Sequence, residues 1–250
     1  MDDASRTRNV LITGACSGLG FTFLKKYALD TSLNIIATDR NPLPPDLLDV
    51  DRQGISWFTV DLTSEEDVHR FADRFDGDES SLDMVIHCAG IRGLVDEVEK
   101  EHPDNVAACE TLEAMNLETL MKTFHVNAAG TFLLLRALVP SLRRSRFDPK
   151  VVVMSSRMGS VGHNTTGGAY AYRASKAALN SMIRSLSVDV PEVSFILCHP
   201  GRVETKLVRY REEGAISADE CVLGLLPLIE KWGKKDSGHF YDRFGDPIEW

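Results

Sequence analysis

Val10-Leu11-Ile12-Thr13-Gly14-Ala15-Cys16-Ser17-Gly18-Leu19-Gly20 passes from an apolar run, through three glycines, into a segment with helical patterning. The unbroken Val10-Leu11-Ile12 run reads as a strand covered on both faces, because a half-exposed strand would alternate. Glycines let the backbone turn tightly and approach a pyrophosphate, which then rests on the N-terminus of the next helix. The spacing is Gly-x-x-x-Gly-x-Gly, not the commoner Gly-x-Gly-x-x-Gly. A glycine trio by itself is often only a turn. Here a strand precedes it and a helix follows, which is the context the motif requires. Gly14, Ser17, Gly18, Leu19 and Gly20 are therefore expected to hold a dinucleotide.

The same alternation continues outward. Apolar runs occur at Leu33 to Thr38, Ile55 to Val60, Met84 to Cys88, Val151 to Met154 and Val193 to Cys198, and Phe240-Tyr241 is a last, short one. Helical stretches separate them at about Leu19 to Leu29, Glu65 to Phe75, Leu117 to Arg144, Ala169 to Asp189 and Ala218 to Trp232. Ser64-Glu65-Glu66-Asp67 and Ser217-Ala218-Asp219-Glu220 carry capping-box patterns at two helix starts. Alternating strand and helix predicts one α/β domain over residues 1–250. Its core is a Rossmann-type, doubly wound parallel sheet of about seven strands, flanked by helices on both faces. The acidic interval Ile91 to Asn116 is long for a connection, and helix is expected around Val106 to Met115. Gly201 to Ile216 is also long. It carries Arg202, Glu204, Arg209, Arg211, Glu212, Glu213 and Gly214, and follows a strand C-terminus, so residues 201–216 are expected to form a substrate-binding lid loop.

The chain has 250 residues, 43% hydrophobic and 26% charged, with a net charge of −9. That composition is ordinary for a globular protein. No apolar run approaches the roughly 20 residues of a membrane span, and the N-terminus lacks a signal-peptide apolar core. A cytoplasmic protein without membrane attachment is expected. The densest basic cluster, Arg143-Arg144-Ser145-Arg146, sits where a helix should end, which suits its dipole. Nucleic-acid binding is disfavoured. Cys16, Cys88, Cys109, Cys198 and Cys221 are scattered and odd in number, which suits a reducing compartment. The histidines show no metal-ligand spacing, so no metal is expected.

Asp39 lies about 20 residues past the glycine loop, at the end of the second strand, where an acid should bond a ribose 2′-hydroxyl. It would repel a 2′-phosphate, which favours NAD(H). Arg40 is adjacent and offers a clamp for the 2′-phosphate of NADP(H), the alternative; it reads equally as a solvated loop residue. Asp61-Leu62 follows the third strand, where the carboxylate would reach an adenine amino group. The same Asp reads also as the lead-in to the next helix. His87-Cys88-Ala89-Gly90 ends the fourth strand, with Gly90 permitting close cofactor approach.

Tyr172-Arg173-Ala174-Ser175-Lys176 places a phenol and an ammonium four residues apart. On a helix both project from one face. A neighbouring cation favours the phenolate and lowers a tyrosine pKa from about 10, which fits the group for proton transfer near neutrality. The spacing alone is equally that of an ordinary exposed helix.

Taken together, the motifs resemble the short-chain dehydrogenase/reductase family over essentially the whole chain. They are Thr13-Gly14-x-x-x-Gly18-x-Gly20, Asp61-Leu62, Cys88-Ala89-Gly90, Asn127, Ser155-Ser156, Tyr172-x-x-x-Lys176 and Pro200-Gly201, all in family order. Gly238-His239-Phe240-Tyr241-Asp242 and the terminal Pro247-Ile248-Glu249-Trp250 are similar to the C-factor and sniffer-like carbonyl reductase subgroup. The resemblance implies that Tyr172 is the general acid/base, that Lys176 tunes it and binds the nicotinamide ribose, and that Ser156 bonds the substrate oxygen. Gly159 follows Ser156 at the family spacing, which prefers Ser156 to Ser155. Asn127 would hold a relay water, and Pro200, Gly201, Val203 and Thr205 would border the nicotinamide. His87-Cys88 stands where the family usually has Asn-Asn, which puts the local hydrogen bonding in question.

The implied activity is NAD(P)-dependent hydride transfer between nicotinamide and a small carbonyl or secondary alcohol. The alternative is a non-redox enzyme of the same fold (lyase, isomerase or cyclase) or a dinucleotide-sensing protein, since fold does not fix function. Arg92-Gly93, Arg157-Met158, His163, Tyr170 and the 201–214 loop are expected around the substrate. Arg92, Arg157 and Arg209 suit an anionic substrate, or else pair with Glu204, Glu212 and Glu213; Met158 and Tyr170 suit an apolar ring. Family habit implies a homodimer or homotetramer.

Overall fold

The computed structural model describes residues 7–43, 54–77, 81–208 and 213–250. Seven strands form one sheet: β1 (Arg8–Thr13), β2 (Leu33–Asp39), β3 (Ile55–Thr59), β4 (Met84–His87), β5 (Lys150–Met154), β6 (Ser194–His199) and β7 (Phe240–Asp242). Their order is β3-β2-β1-β4-β5-β6-β7, and every pairing is parallel. Side chains alternate between faces with period two. Leu11, Val85, Val151, Val153, Phe195 and Leu197 enter one core with Phe71, Leu138 and Ile183. Val10, Ile12, Ile86, Val152 and Ile196 enter the other with Phe23, Leu24, Val222 and Leu225. Both faces being covered explains why the strands read as continuous apolar runs.

The first core is built against α2 (Glu65–Ala72), α5 (Thr131–Arg143) and α6 (Tyr170–Asp189). The second lies against α1 (Gly18–Tyr27) and α7 (Ala218–Lys231). Ser64 Oγ accepts from Asp67 N–H at 3.1 Å and Ser217 Oγ from Glu220 N–H at 3.1 Å, so both N-caps form as their sequences imply. Strand order reverses between β1 and β4, where Thr13 is in register with Thr38 on one side and His87 on the other. The crevice at the carboxyl ends of such strands is where this topology binds ligands.

Two expectations are corrected. Leu117 to Arg144 is not one continuous α-helix: α4 (Leu117–Phe124) passes into a π-helical turn, His125–Gly130, before α5 begins. Such turns are frequent at functional sites. Helix around Val106 to Met115 is a 3-10 turn over Val106–Glu110 only. A short α3 (Asp96–Glu101) precedes it; its sequence, Asp-Glu-Val-Glu-Lys-Glu, has no apolar period to reveal it. In the 201–216 segment, Val203 pairs with Ile216, and Glu204 N–H donates to Ile216 O at 2.9 Å. The loop is therefore closed at its base. Arg209, Arg211 and Glu212 lie outside the described residues.

Candidate active site

The glycine loop is shaped by contacts no larger residue permits. Gly14 has φ +66°, and a Cβ there would lie 2.8 Å from Ala89 N. A Cβ on Gly20 would lie 2.2 Å from Gly14 O. Ser17 is the N-cap of α1 but makes no side-chain cap bond, and the first turn of α1 has no acidic residue. The helix start is thus arranged to accept an anion. A cavity of about 590 Å³ opens there. Its walls include Gly14, Ser17, Gly18, Leu19, Gly20, Asp39, Arg40, Asp61, Leu62, Cys88, Ala89, Gly90, Tyr172, Lys176, Pro200 and Thr205. Sixteen residues proposed from sequence therefore meet in one space. Gly201, Val203, Asn127 and Ser156 do not line it.

Asp39 is held by three donors: Cys16 N–H at 3.0 Å on one oxygen, and the Asn41 backbone and side-chain N–H groups, both at 3.0 Å, on the other. Asp61 accepts from Thr63 N–H at 2.8 Å and Thr63 O–H at 2.7 Å. These bonds, with Arg40 nearby, hold its carboxyl below the usual range. Thr205 reaches over the loop; a Cβ on Gly18 would meet its methyl at 3.1 Å.

His87 proves to be a tie. Thr13 Oγ1 accepts from Cys88 N–H and Ala89 N–H, both at 3.2 Å, so its proton goes to His87 Nδ1 at 2.9 Å. Nε2–H then donates to Thr131 Oγ1 at 2.8 Å, and Thr131 O–H donates to Asn127 O at 3.0 Å. The chain runs from the cofactor-side strand to the π-turn. It requires a neutral imidazole, and burial, assisted by Lys176, pulls the His87 pKa down to about 3. The substitution of His for Asn thus replaces one bonding pattern with another.

Asn127 is fully buried. Its Oδ1 accepts from Ile91 N–H at 2.8 Å, and its Nδ2 donates to Ile91 O at 2.8 Å and Ser175 Oγ at 3.0 Å. It locks the segment after Gly90 to α6. Lys176 is 4% exposed; its Nζ donates to Met154 O at 3.0 Å and lies 5.7 Å from the Tyr172 ring centre. Burial lowers its pKa to about 8. Ser155 Oγ donates to Asn180, whereas Ser156 Oγ accepts from Met158 N–H at 3.2 Å. Gly159 brings this turn onto α6: a Cβ there would lie 2.7 Å from the Lys176 carbonyl carbon.

The Lys176 pKa carries a stability prediction. Between about pH 8 and the ordinary lysine value, the unfolded chain binds more protons than the folded one. Stability from this group therefore rises with pH across that window and is lost as pH falls through it. Lys176→Met removes that desolvation cost and should raise the unfolding free energy at pH 7 by about 1–4 kcal/mol, the range for buried ion pairs replaced by apolar groups. Its stability–pH slope above pH 8 should be shallower, and calorimetry at two pH values reads both.

Tyr170 is corrected: it is 39% exposed and is not part of the cavity. Arg157 pairs with Asp242 at 3.6 Å, and Arg92 pairs with Glu110. The sequence motifs leave out Met154, Glu110 and Lys122, and they include Thr13 only as the start of the glycine motif and Lys206 only as part of the 201–216 loop. Met154 acts through its carbonyl, which no side-chain pattern reveals. Lys122 and Lys206 line the cavity without any motif.

Residues 8–215 match the family described as short chain dehydrogenase. The chain belongs to that family. It is 35% identical over 171 residues to "C-signal" of Myxococcus xanthus, covering 68% of this chain and 93% of that protein. It is 32% identical over 195 residues to a 1-hydroxy-2-glutathionyl-2-methyl-3-butene dehydrogenase of Rhodococcus sp., covering 76% of this chain and 78% of that one. The carbonyl reductase Sniffer of D. melanogaster superposes with a TM-score of 0.83 at 26% identity, covering 98% of this chain and all of that one. An NADPH-bound carbonyl reductase from chicken fatty liver gives 0.82 at 26%, with the same coverage. As a short chain dehydrogenase/reductase, the chain is an NAD(P)-dependent oxidoreductase acting on a carbonyl or alcohol carbon of a small molecule. The non-redox alternative is not favoured. The C-terminal segment that resembled the sniffer-like subgroup folds onto β7. Ile248 N–H donates to Phe240 O at 2.7 Å, and Trp250 stacks on Phe240. Among the described residues, no helix is long and apolar enough to cross a membrane.

Proposed function

We propose that Tyr172 is the general acid/base of this oxidoreductase, with Lys176, Ser156 and Asn127 as its supporting set. The observation that carries this reading is the convergence of Tyr172 and Lys176 on the cavity that the glycine loop opens. In reduction, Tyr172 gives its proton to the carbonyl oxygen as the carbon becomes a carbinol. Lys176, fixed by Met154 O, keeps a positive charge beside the phenol and favours the phenolate left behind. Ser156 accepts from Met158 N–H, so its own proton is available to the substrate oxygen. Asn127 fixes Ile91 and α6 and, through the π-turn, connects Lys176 to a water relay. Nicotinamide, when bound, supplies or accepts the hydride. Gly14, Ser17, Gly18, Leu19 and Gly20 would hold its pyrophosphate, Asp39 the adenosine ribose, Asp61 and Leu62 the adenine. Cys88, Ala89 and Gly90 would border the cofactor, with Pro200, Gly201, Val203 and Thr205 on the nicotinamide side. The 201–216 segment serves as the substrate lid.

NAD(H) is the favoured cofactor. The Asp39 carboxylate, pinned by Cys16 and Asn41, would stand against a 2′-phosphate, and the carbonyl reductase likeness to NADPH-bound structures makes NADP(H) the alternative. The physiological direction is carbonyl reduction, as the names of the Sniffer and chicken enzymes suggest. The protein works in the cytoplasm as a homodimer or homotetramer. A panel of ketones, aldehydes and secondary alcohols, followed by nicotinamide absorbance with NADH and with NADPH, tests this reading. Cofactor binding without turnover on any of them would overturn it. Asp39→Asn keeps acceptor oxygen at the site and removes the charge. It should raise kcat/KM with NADPH about tenfold, the size expected for removing one poorly screened like charge; an unchanged NADH-to-NADPH ratio would refute the role of Asp39.

A further inference from the structure

Arg92 follows Gly90 by two residues and lines the cavity. Its guanidinium carbon lies 4.7 Å from the centre of the Tyr172 ring. The side chain is 13% exposed and is paired with Glu110, itself 7% exposed; Nη2 donates to Oε2 at 3.1 Å, and Nε bonds the other oxygen. A planar guanidinium held at both edges of a carboxylate has its orientation fixed. Glu110 is anchored in turn to the helix carrying Tyr172, because Glu110 O accepts from Ala169 N–H at 2.9 Å. Ala169 is the N-cap of α6 and has φ +50°, a left-handed conformation that a non-glycine residue adopts at a cost. One unit, Arg92–Glu110, therefore grips both the ring of Tyr172 and the start of its helix.

We propose that Arg92, oriented by Glu110, is a positioning residue for Tyr172, a second cation that fixes the ring in the cavity and favours its phenolate. The proposal rests on the reading of Tyr172 as the general acid/base. Lys176 is on the same helix, one turn away, with its ammonium 5.7 Å from the ring centre; Arg92 comes from the segment after β4. Among the described residues, the other charged side chains lining the same cavity are Lys122 of α4, Lys206, Asp39, Arg40 and Asp61. His87 and Cys88 of the β4 edge lie beside Lys176. Arg157 is engaged by Asp242, and His125 of the π-turn is exposed. Glu110 offsets part of the Arg92 charge at Tyr172, while the Arg92 guanidinium itself lies directly over the ring.

Arg92→Met alone would strand the Glu110 carboxylate in the interior and endanger folding. The test therefore uses Arg92→Met combined with Glu110→Gln, and Arg92→Lys separately, each with a thermal-unfolding control. The first readout needs no cofactor: tyrosinate ultraviolet titration of the free protein, taken as a difference against Tyr172→Phe. The second is the pH profile of kcat/KM for alcohol oxidation, whose acid limb reports conversion to phenolate. In the double variant both should move up by about one pH unit, with Arg92→Lys in between and KM changed less than kcat. Midpoints unchanged in a folded double variant would overturn the proposal. So would a rise confined to KM for anionic substrates, which would make Arg92 a substrate ligand. If Tyr172→Phe itself retains wild-type turnover, the acid/base reading has failed, an outcome separate from either of these.

Discussion

Tyr172→Phe is expected to slow carbonyl reduction by about 10²–10⁴-fold, the usual contribution of a positioned general acid. The side chain is 7% exposed, its ring lies under Arg92 and near Lys176, and Phe preserves that volume and those ring contacts. The fold and the glycine cradle should be unchanged. What is removed is one hydroxyl, so cofactor affinity, read by nicotinamide fluorescence, should fall little while kcat collapses. The loss should appear in both reaction directions, because the same group donates in reduction and accepts in oxidation. A variant that keeps turnover within a fewfold of wild type would remove Tyr172 from the chemistry, and one that loses cofactor binding equally would make it a binding residue.

Gly20→Ala should be nearly as damaging, by a different route. The added Cβ would sit 2.2 Å from Gly14 O, 2.7 Å from Gly14 C and 2.9 Å from Thr13 O. All three are backbone atoms of the loop itself, so no side chain can swing aside. Either α1 moves off β1, or the loop opens and its amides no longer converge on one point. Overpacking of this kind costs about 1–3 kcal/mol, and cofactor affinity should fall by more than about tenfold, or 1.4 kcal/mol. Gly224→Ala is the matched control. It lies inside α7 with nothing within 4 Å of a new Cβ, so it should be neutral or stabilising by up to about 1 kcal/mol. Thermal unfolding and cofactor titration of the two variants separate a local clash from a general intolerance of alanine.

The sheet was legible because every strand is covered on both faces. Val10-Leu11-Ile12 and Val151-Val152-Val153 announce themselves as continuous apolar runs, and the structure places them within β1 and β5. The cofactor crevice was legible because a glycine loop must lie between a strand and a helix. Helical periodicity cannot distinguish an α from a π turn, so the break at His125–Gly130 was hidden although Asn127 within it was not. Tyr170 failed for a geometric reason. Two positions on a helix are about 200° apart, so it faces away from the cavity that Tyr172 enters. The Arg92–Glu110 pair was invisible because its members lie 18 residues apart in a segment without periodicity, and Glu110 belongs to no motif. In the sequence, His87 stands only as a departure from the family pattern, because the fold alone shows Thr13 and Thr131 on either side of it.

The central claim is direct hydride transfer from nicotinamide to a carbonyl carbon, with the proton from Tyr172. Its most direct measurement uses the intact protein with NADH or NADPH deuterated at C4 and the best carbonyl of the panel, followed by mass spectrometry of the alcohol. One deuterium on the carbinol carbon, formed by the wild type and slowed by about 10²–10⁴-fold in Tyr172→Phe, is the predicted result. Alcohol without deuterium from either C4 face, or equal rates in the two proteins, would contradict it.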